Sequence, residues 1–180
     1  LLAAACVPCR LLVYHKARGR GIHAVENHLE AVAPLGIDPR AVDHRLELHL
    51  GAEDARWAGE LLEREGLAGR PAAALVPGAS HPVNRWPAGH FAELARRLAA
   101  ELGVASILVG GPQDRELADA VAAGCAGARV VDLVGRASLP RTGAVLARCA
   151  VAVSGDTGPM HMATAVGTPV VALFGAADPA

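Results

Sequence analysis

Between two strongly apolar runs the chain carries "SGDTGPMH", Ser154 to His161. An acid, two hydroxyls, two glycines, a proline and an imidazole within eight positions are unusual company. Gly155 and Gly158 would let a ligand approach the backbone closely, and Pro159 suits the first position of a helix. A helix starting there presents open amides and the positive end of its dipole, which together favour an anion such as a diphosphate. The fold-only alternative is that Asp156 and Thr157 merely cap the helix and that His161 is a core or capping histidine.

A reading of a different class starts from Asp156-Thr157-Gly158. Asp-Thr-Gly is the catalytic tripeptide of aspartic proteases, in which two carboxylates share a proton. Those enzymes are all-β and pair two such loops. This chain has one such tripeptide, and it leads into a helical pattern, so the context that the motif requires is absent.

The elements that must position this stretch are legible from Ala72 onward, where short β-rich runs alternate with helical ones. "AAALVPGAS", "VASILVGG", "ARVVDLVG", "AVAVSG" and "TPVVALFG" read as strands, and runs such as "SILV" and "VVALF" are continuously apolar without alternation, as expected for strands covered on both faces by helices. The pattern βαβαβαβαβ predicts a parallel sheet. The clearest helix runs from about Pro87 to Leu102, with Phe91, Leu94, Ala95, Leu98 and Leu102 on one stripe. Gly103, Gly124 and Gly167 are its stop and the stops of two more helices, and Ser138 is a candidate N-cap. Four strand-to-helix turns stand out: "VPGASHPVNRWP", "VGGPQD", "LVGRAS" and "SGDTGPMH". In an open parallel sheet such turns, at the carboxyl ends of strands, are where ligands bind.

Upstream, "RLLVYHK" reads as a strand, "HAVENHLEAVAPLG" as a helix, "HRLELHL" as an alternating strand and "AEDARWAGELLEREG" as a charged helix. These form a separate unit, residues 1–66, joined to residues 67–180 through a hinge at Gly66 to Ala72. Cys6 and Cys9 make a single CxxC pair. A structural zinc site takes four ligands, and a redox pair should open a helix, so neither metal nor redox use is expected.

Composition removes further classes. Hydrophobic residues at 52% are ample for a core, and 17 basic against 18 acidic residues give no field for a nucleic acid. Aromatic residues at 3% offer bases little to stack on. The opening "LLAAACVPC" is too short to span a bilayer and no basic region precedes it, so neither a transmembrane segment nor a signal peptide is expected. The first residue is Leu, not Met, and a longer protein is expected upstream.

Taken in order, these stretches resemble the heptosyltransferases of glycosyltransferase family 9. The likeness is carried by "HAVENHLEAVAPLGI", "RWPAGHFAELARRL", "LVGGPQD", "DLVGRASL" and, most specifically, "SGDTGPMHMATAVGTPVVALFG". The resemblance implies an α/β fold of GT-B type. Residues from about 67 would be the Rossmann-like donor domain, incomplete at its C-terminus, and residues before it part of the acceptor-side domain. It implies an inverting, metal-independent transfer of heptose from ADP-heptose to the lipopolysaccharide inner core, with no cofactor. The catalytic base is expected in an N-terminal segment that this sequence lacks, so no catalytic residue is assigned here. The acceptor would be a lipid-linked saccharide at the membrane surface, and the location cytoplasmic, peripheral at the inner membrane. By the same resemblance Thr157, Gly158, Pro159 and the amides up to Met160 would hold the diphosphate, with His161 close by. Asp156 would meet sugar hydroxyls or hold the loop. Gln113 and Asp114 fall at the family's ribose contact, and Leu133 where adenine is lined. The family carries Lys before its Arg-Trp-Pro; here Asn84 stands there, with Arg85 as the available cation. A nucleotide-binding module, and a nucleotide-sugar transferase or epimerase acting on another sugar, are the alternatives.

Overall fold

In a computed structural model, residues 24–175 are described, and they fall into two compact units divided between Arg45 and Leu46. In the first unit, helix α1 (Ala24–Glu30) is followed by 3-10 turns at Ala33–Leu35 and Pro39–Ala41. The helix expected across "HAVENHLEAVAPLG" therefore stops early, and its last part turns through Gly36, at φ 84°. The strand expected over "RLLVYHK" lies outside the described residues.

The second unit is built on five parallel strands: β1 (Ala72–Val76), β2 (Ala105–Leu108), β3 (Val130–Asp132), β4 (Val151–Gly155) and β5 (Val170–Leu173). They lie in the order β3-β2-β1-β4-β5. Helices α3 (Ala88–Leu102) and α4 (Arg115–Gly124) connect β1, β2 and β3; α5 (Leu139–Leu146) and α6 (Gly158–Ala165) connect β3, β4 and β5. The α/β alternation and the parallel sheet thus form as the apolar runs predict. Gly103, left-handed at φ 64°, closes α3, and the Ser138 hydroxyl caps α5 by accepting from the Arg141 amide at 3.4 Å.

The apolar runs show no alternation because both faces of the sheet are covered. Leu75 and Leu108 point into one core with Phe91, Ala92 and Ala95 of α3 and Ala118 and Val121 of α4. Ala74, Val76 and Ile107 point into the other, with Ala144, Val145 and Leu146 of α5 and Ala163 of α6. That second core also contains Ala58, Leu61 and Leu62 of α2 (Ala52–Arg64), the charged helix that the sequence groups with the upstream residues. Its apolar stripe requires burial, and α5 provides it. Arg141 of α5 stacks over the Trp57 ring of α2, 4.9 Å from its centroid. The expected hinge at Gly66 to Ala72 is accordingly a tight turn within this unit. Gly66 and Gly69 are left-handed, and Leu67 between them is buried.

The alternating "HRLELHL" does not form a strand. Leu48 and Leu50 instead lie across α5, with Leu48 Cδ2 only 2.5 Å from the position of a Cβ on Gly143. Its alternation marks a segment burying one side, and among the described residues it pairs with no strand. Among the described residues no helix is long and apolar enough to cross a membrane.

Candidate functional site

Chain direction reverses in the sheet between β1 and β4: α3 and α4 lead away to one side, α5 returns, and α6 continues to the other. At such a switch point the loops from adjacent strands diverge and leave a crevice at the strands' carboxyl ends. A cavity of about 560 Å³ occupies that place. All four glycine-bearing turns singled out in the sequence contribute to its wall.

The turn after β1 supplies Gly78, Ala79, Ser80 and Arg85. Its 3-10 segment, Pro82–Asn84, is pressed onto the ends of β4 and β5: the Asn84 carbonyl lies 2.5 Å from where a Cβ on Gly155 would be, and the Val83 carbonyl packs against Gly175. Glycine at 155 and 175 is what permits this approach. Arg85 donates its Nε to the Ala79 carbonyl at 2.9 Å, which orients the guanidinium at the cavity wall.

The turn after β2 supplies Gly110, Gly111, Pro112, Gln113 and Asp114. Asp114 is 6% exposed, and its Oδ2 accepts from the Gly111 amide at 2.9 Å and from Gln113 Nε2 at 3.2 Å. The same carboxylate fills the space that a side chain on Gly78 would occupy, and lies 2.9 Å from a Cβ position on Gly110. One buried carboxylate therefore fixes two turns from different strands. The third turn is tied in by the Gly135 amide, which donates to the Gly110 carbonyl at 3.0 Å.

The last turn carries the stretch that first drew attention. Thr157 occupies the N-cap of α6, yet its side chain caps nothing. Its Oγ1 lies 3.1 Å from the hydroxyl of Ser154, which is wholly buried. Asp156 does not cap the helix either; its Oδ1 lies 3.7 Å from His161 Nε2, on the exposed side of the loop. The reading of Asp156 and Thr157 as mere capping side chains is therefore not what the fold adopts. Gly158 and Pro159 line the cavity, and a Cβ on Gly158 would meet no protein atom within 4 Å. The residue is small with no packing neighbour that demands it, so the space in front of it belongs to the cavity.

Of the expected binding residues, Arg85, Gln113, Asp114, Thr157, Gly158 and Pro159 line this one cavity. Asn84 contributes its backbone as a brace, and Asp156, Met160 and His161 lie beside the cavity rather than on its wall. Leu133 does not line this cavity. It is buried in the α2-side core and borders a different groove, with Trp57 and Leu61. The apolar wall comes instead from Ala137, Leu139 and Thr142, at the start of α5. Leu139 is 72% exposed at the first position of that helix, an apolar residue where a polar one would cost nothing. That position, just after the "GRAS" turn, was the available signal.

Chemically, the wall offers backbone amides and a helix start at one side, one guanidinium, one buried carboxylate held by an amide and Gln113, and an apolar shelf. Arg85 and Asp114 are the two ionisable side chains among the lining residues. The set suits a ligand with an anionic centre and an apolar end. Among the described residues no group of three or more His, Cys, Asp and Glu is placed to hold a metal ion.

Comparison with known proteins converges on one family. The family model for glycosyltransferase family 9 (heptosyltransferase) matches residues 9–180. A curated relative, lipopolysaccharide heptosyltransferase 3 of Escherichia coli K12, is 31% identical over 167 residues, covering 91% of this chain and 47% of that protein. Among solved structures, a family 9 glycosyl transferase from Veillonella parvula DSM 2008 superposes with a TM-score of 0.82 at 26% identity, over 92% of this chain and 47% of that one. The E. coli ADP-heptose lps heptosyltransferase II superposes with a TM-score of 0.64 at 31% identity, over 74% of this chain and 40% of that one. The likeness places the sheet described above within the GT-B type of fold. The chain spans about half the length of the relatives it matches, or less.

Proposed function

Because the chain belongs to glycosyltransferase family 9, the heptosyltransferases, we propose that its switch-point cavity binds the nucleotide sugar of a heptosyl transfer, with ADP-heptose as donor. The observation that carries this reading is the convergence of four glycine-bearing turns on one cavity whose floor is the uncapped start of α6. The amides of Thr157 and Gly158 face the diphosphate, and Arg85 supplies the cation. Gln113 and Asp114 stand on the wall proposed for the ribose, and the base lies along Ala137 and Leu139 rather than at Leu133.

In this reading the transfer is inverting and uses neither metal nor cofactor. An acceptor hydroxyl loses its proton to a carboxylate base and attacks the anomeric carbon; the C–O bond to ADP breaks and ADP leaves with the electron pair. The demand on this chain is stabilisation of the leaving diphosphate, which oriented amides and a guanidinium meet without reorganising. The base is not drawn from this wall: Asp114 is its one carboxylate and is engaged with the Gly111 amide and Gln113. The acceptor is a lipid-linked saccharide at the cytoplasmic face of the membrane.

Calorimetric titration with ADP, UDP and GDP tests the reading. Saturable binding of ADP in preference to UDP and GDP supports it. Equal weak binding of all three, or none, would overturn the assignment of the donor.

A further inference from the structure

The polar contacts around Ser154 fix a property of the cavity that the residue types alone do not. The Ser154 Oγ lies 2.9 Å from the Gly155 carbonyl oxygen and 3.1 Å from Thr157 Oγ1. A serine hydroxyl has one proton. The carbonyl can only accept, so that proton goes to Gly155. Ser154 then meets Thr157 through a lone pair, and the Thr157 hydroxyl must be the donor of the second bond. Complete burial of Ser154 makes the arrangement exacting, because a buried oxygen facing an oxygen with no proton between them is costly. The backbone agrees. At an N-cap a threonine oxygen ordinarily accepts from an amide of the first turn, whereas here it makes no such bond, and Thr157 remains on the cavity wall.

We propose that Ser154 is a positioning residue: its oxygen accepts the hydrogen bond that the Thr157 hydroxyl donates, so that Thr157 presents only lone pairs to the cavity and reads a hydroxyl group of the bound nucleotide sugar rather than a phosphate oxygen. An ionised diphosphate carries no proton to give and finds only an acceptor at this side chain, so its binding falls to backbone amides and Arg85. A ribose or heptose hydroxyl supplies the missing proton. This inference rests on the nucleotide-sugar reading above and adds a division of labour within one residue, the amide of Thr157 facing the anion and its side chain facing a hydroxyl.

The test compares ADP-heptose, ADP and inorganic pyrophosphate by calorimetry on the unsubstituted chain and on Thr157→Val, Thr157→Ser and Ser154→Ala, with thermal melting as the check on folding. Thr157→Val should weaken the hydroxyl-bearing ligand roughly three- to tenfold, the worth of one neutral hydrogen bond, and leave pyrophosphate within about twofold. Loss on ADP-heptose alone identifies a heptose hydroxyl, and loss on ADP as well identifies the ribose. Thr157→Ser, which keeps the hydroxyl, should restore the affinity. Ser154→Ala frees the Thr157 proton to turn toward the cavity, so pyrophosphate should bind more tightly while the hydroxyl-bearing ligand weakens. A merely structural role for Ser154 would lower all three alike. Equal weakening of all three ligands by folded Thr157→Val, or no change in any, overturns the inference while leaving the nucleotide reading intact. Failure of the unsubstituted chain to bind any of the three overturns both.

Discussion

Helices α5 and α6 begin in nearly the same way. Each has eight residues, each follows a strand and a glycine-bearing turn, and each has a hydroxyl residue at the N-cap and a proline in its first turn. At α5 the Ser138 oxygen closes on the Arg141 amide. At α6 the Thr157 oxygen turns back to Ser154 and the first turn stays uncapped. An orphan amide at a helix start must be satisfied by a side chain, water or a ligand. The first helix uses its hydroxyl for its own stability and the second leaves the opening to whatever enters the cavity. On the proposed function, similar local sequences serve fold in one place and binding in the other, and the difference is made by the residue behind the cap rather than by the cap itself.

The comparison breaks most sharply at glycines. Gly158 faces open space, whereas the space in front of Gly78 is already filled by the Asp114 carboxylate. Gly158→Val should therefore leave the melting temperature nearly unchanged and lower ADP affinity by roughly a hundredfold or more, since it stands between the diphosphate and amides whose bonds to a charged group are worth about 1.5–3 kcal/mol each. Gly78→Ala should do the reverse in order of cause. It displaces a buried, hydrogen-bonded carboxylate, costs about 1–3 kcal/mol of stability as overpacking does, and weakens ADP only through the disturbed turn. Retained ADP affinity in a folded Gly158→Val chain would return α6 to an ordinary helix start.

The caps themselves give the next effect. Ser138→Ala should destabilise the chain by about 1 kcal/mol, the usual worth of an N-cap hydroxyl, without changing ADP binding. Thr157→Ala at the equivalent position loses no cap bond but removes the hydrogen bond to buried Ser154, so it should cost about 0.5–1.5 kcal/mol of stability and, unlike Ser138→Ala, also weaken ADP-heptose. Chemical denaturation and ADP-heptose titration of the two variants check both. Unchanged ADP-heptose affinity in a folded Thr157→Ala chain would mean that Thr157 serves the fold alone, as Ser138 does.

Much of this arrangement was legible in the sequence and some was not, for reasons that follow from geometry. Apolar runs without alternation, with glycine stops such as Gly103, specify strands covered on both faces, and order of elements along the chain is enough to yield a parallel sheet. The "HRLELHL" segment misled because alternation reports an extended, one-sided segment and says nothing of a partner strand. The glycine-rich turns at the strands' carboxyl ends were legible as the wall of one crevice, but which residue of each turn faces inward depends on contacts remote in sequence. Asp114 is fixed by Gly78, 36 positions earlier, and no local pattern reveals that pairing. Leu133 and Leu139 are both apolar and flank the same turn; left-handed Gly135 between them sends the first into the core and the second to the rim. The uncapped state of α6 was equally hidden, since the hydroxyl that diverts Thr157 belongs to Ser154, on a strand that reads as plain core.

The smallest expected effect bears on where the anion sits relative to the two helices. Asn84 occupies the position at which the family resemblance places a lysine, and it lies at the rim, its carbonyl braced on Gly155 while Arg85 beside it lines the wall. Its side chain is half-buried and is not part of the cavity lining. Asn84→Lys therefore introduces a cation near the α6 opening rather than in contact with it. An exposed or partly exposed charge pair is worth about 0.2–1 kcal/mol, so ADP should bind up to roughly fivefold more tightly at low salt. Raising ionic strength to 0.1 M and beyond, where screening acts over about 10 Å, should remove most of the gain. AMP, which lacks the second phosphate, should gain less. Titrating both nucleotides into both proteins at two salt concentrations separates the cases. A salt-sensitive gain for ADP above that for AMP places the diphosphate between the Asn84 turn and the open end of α6. Equal gains for the two nucleotides would move it away from that end, and the contrast with the capped start of α5 would then describe two helices differing in stability alone.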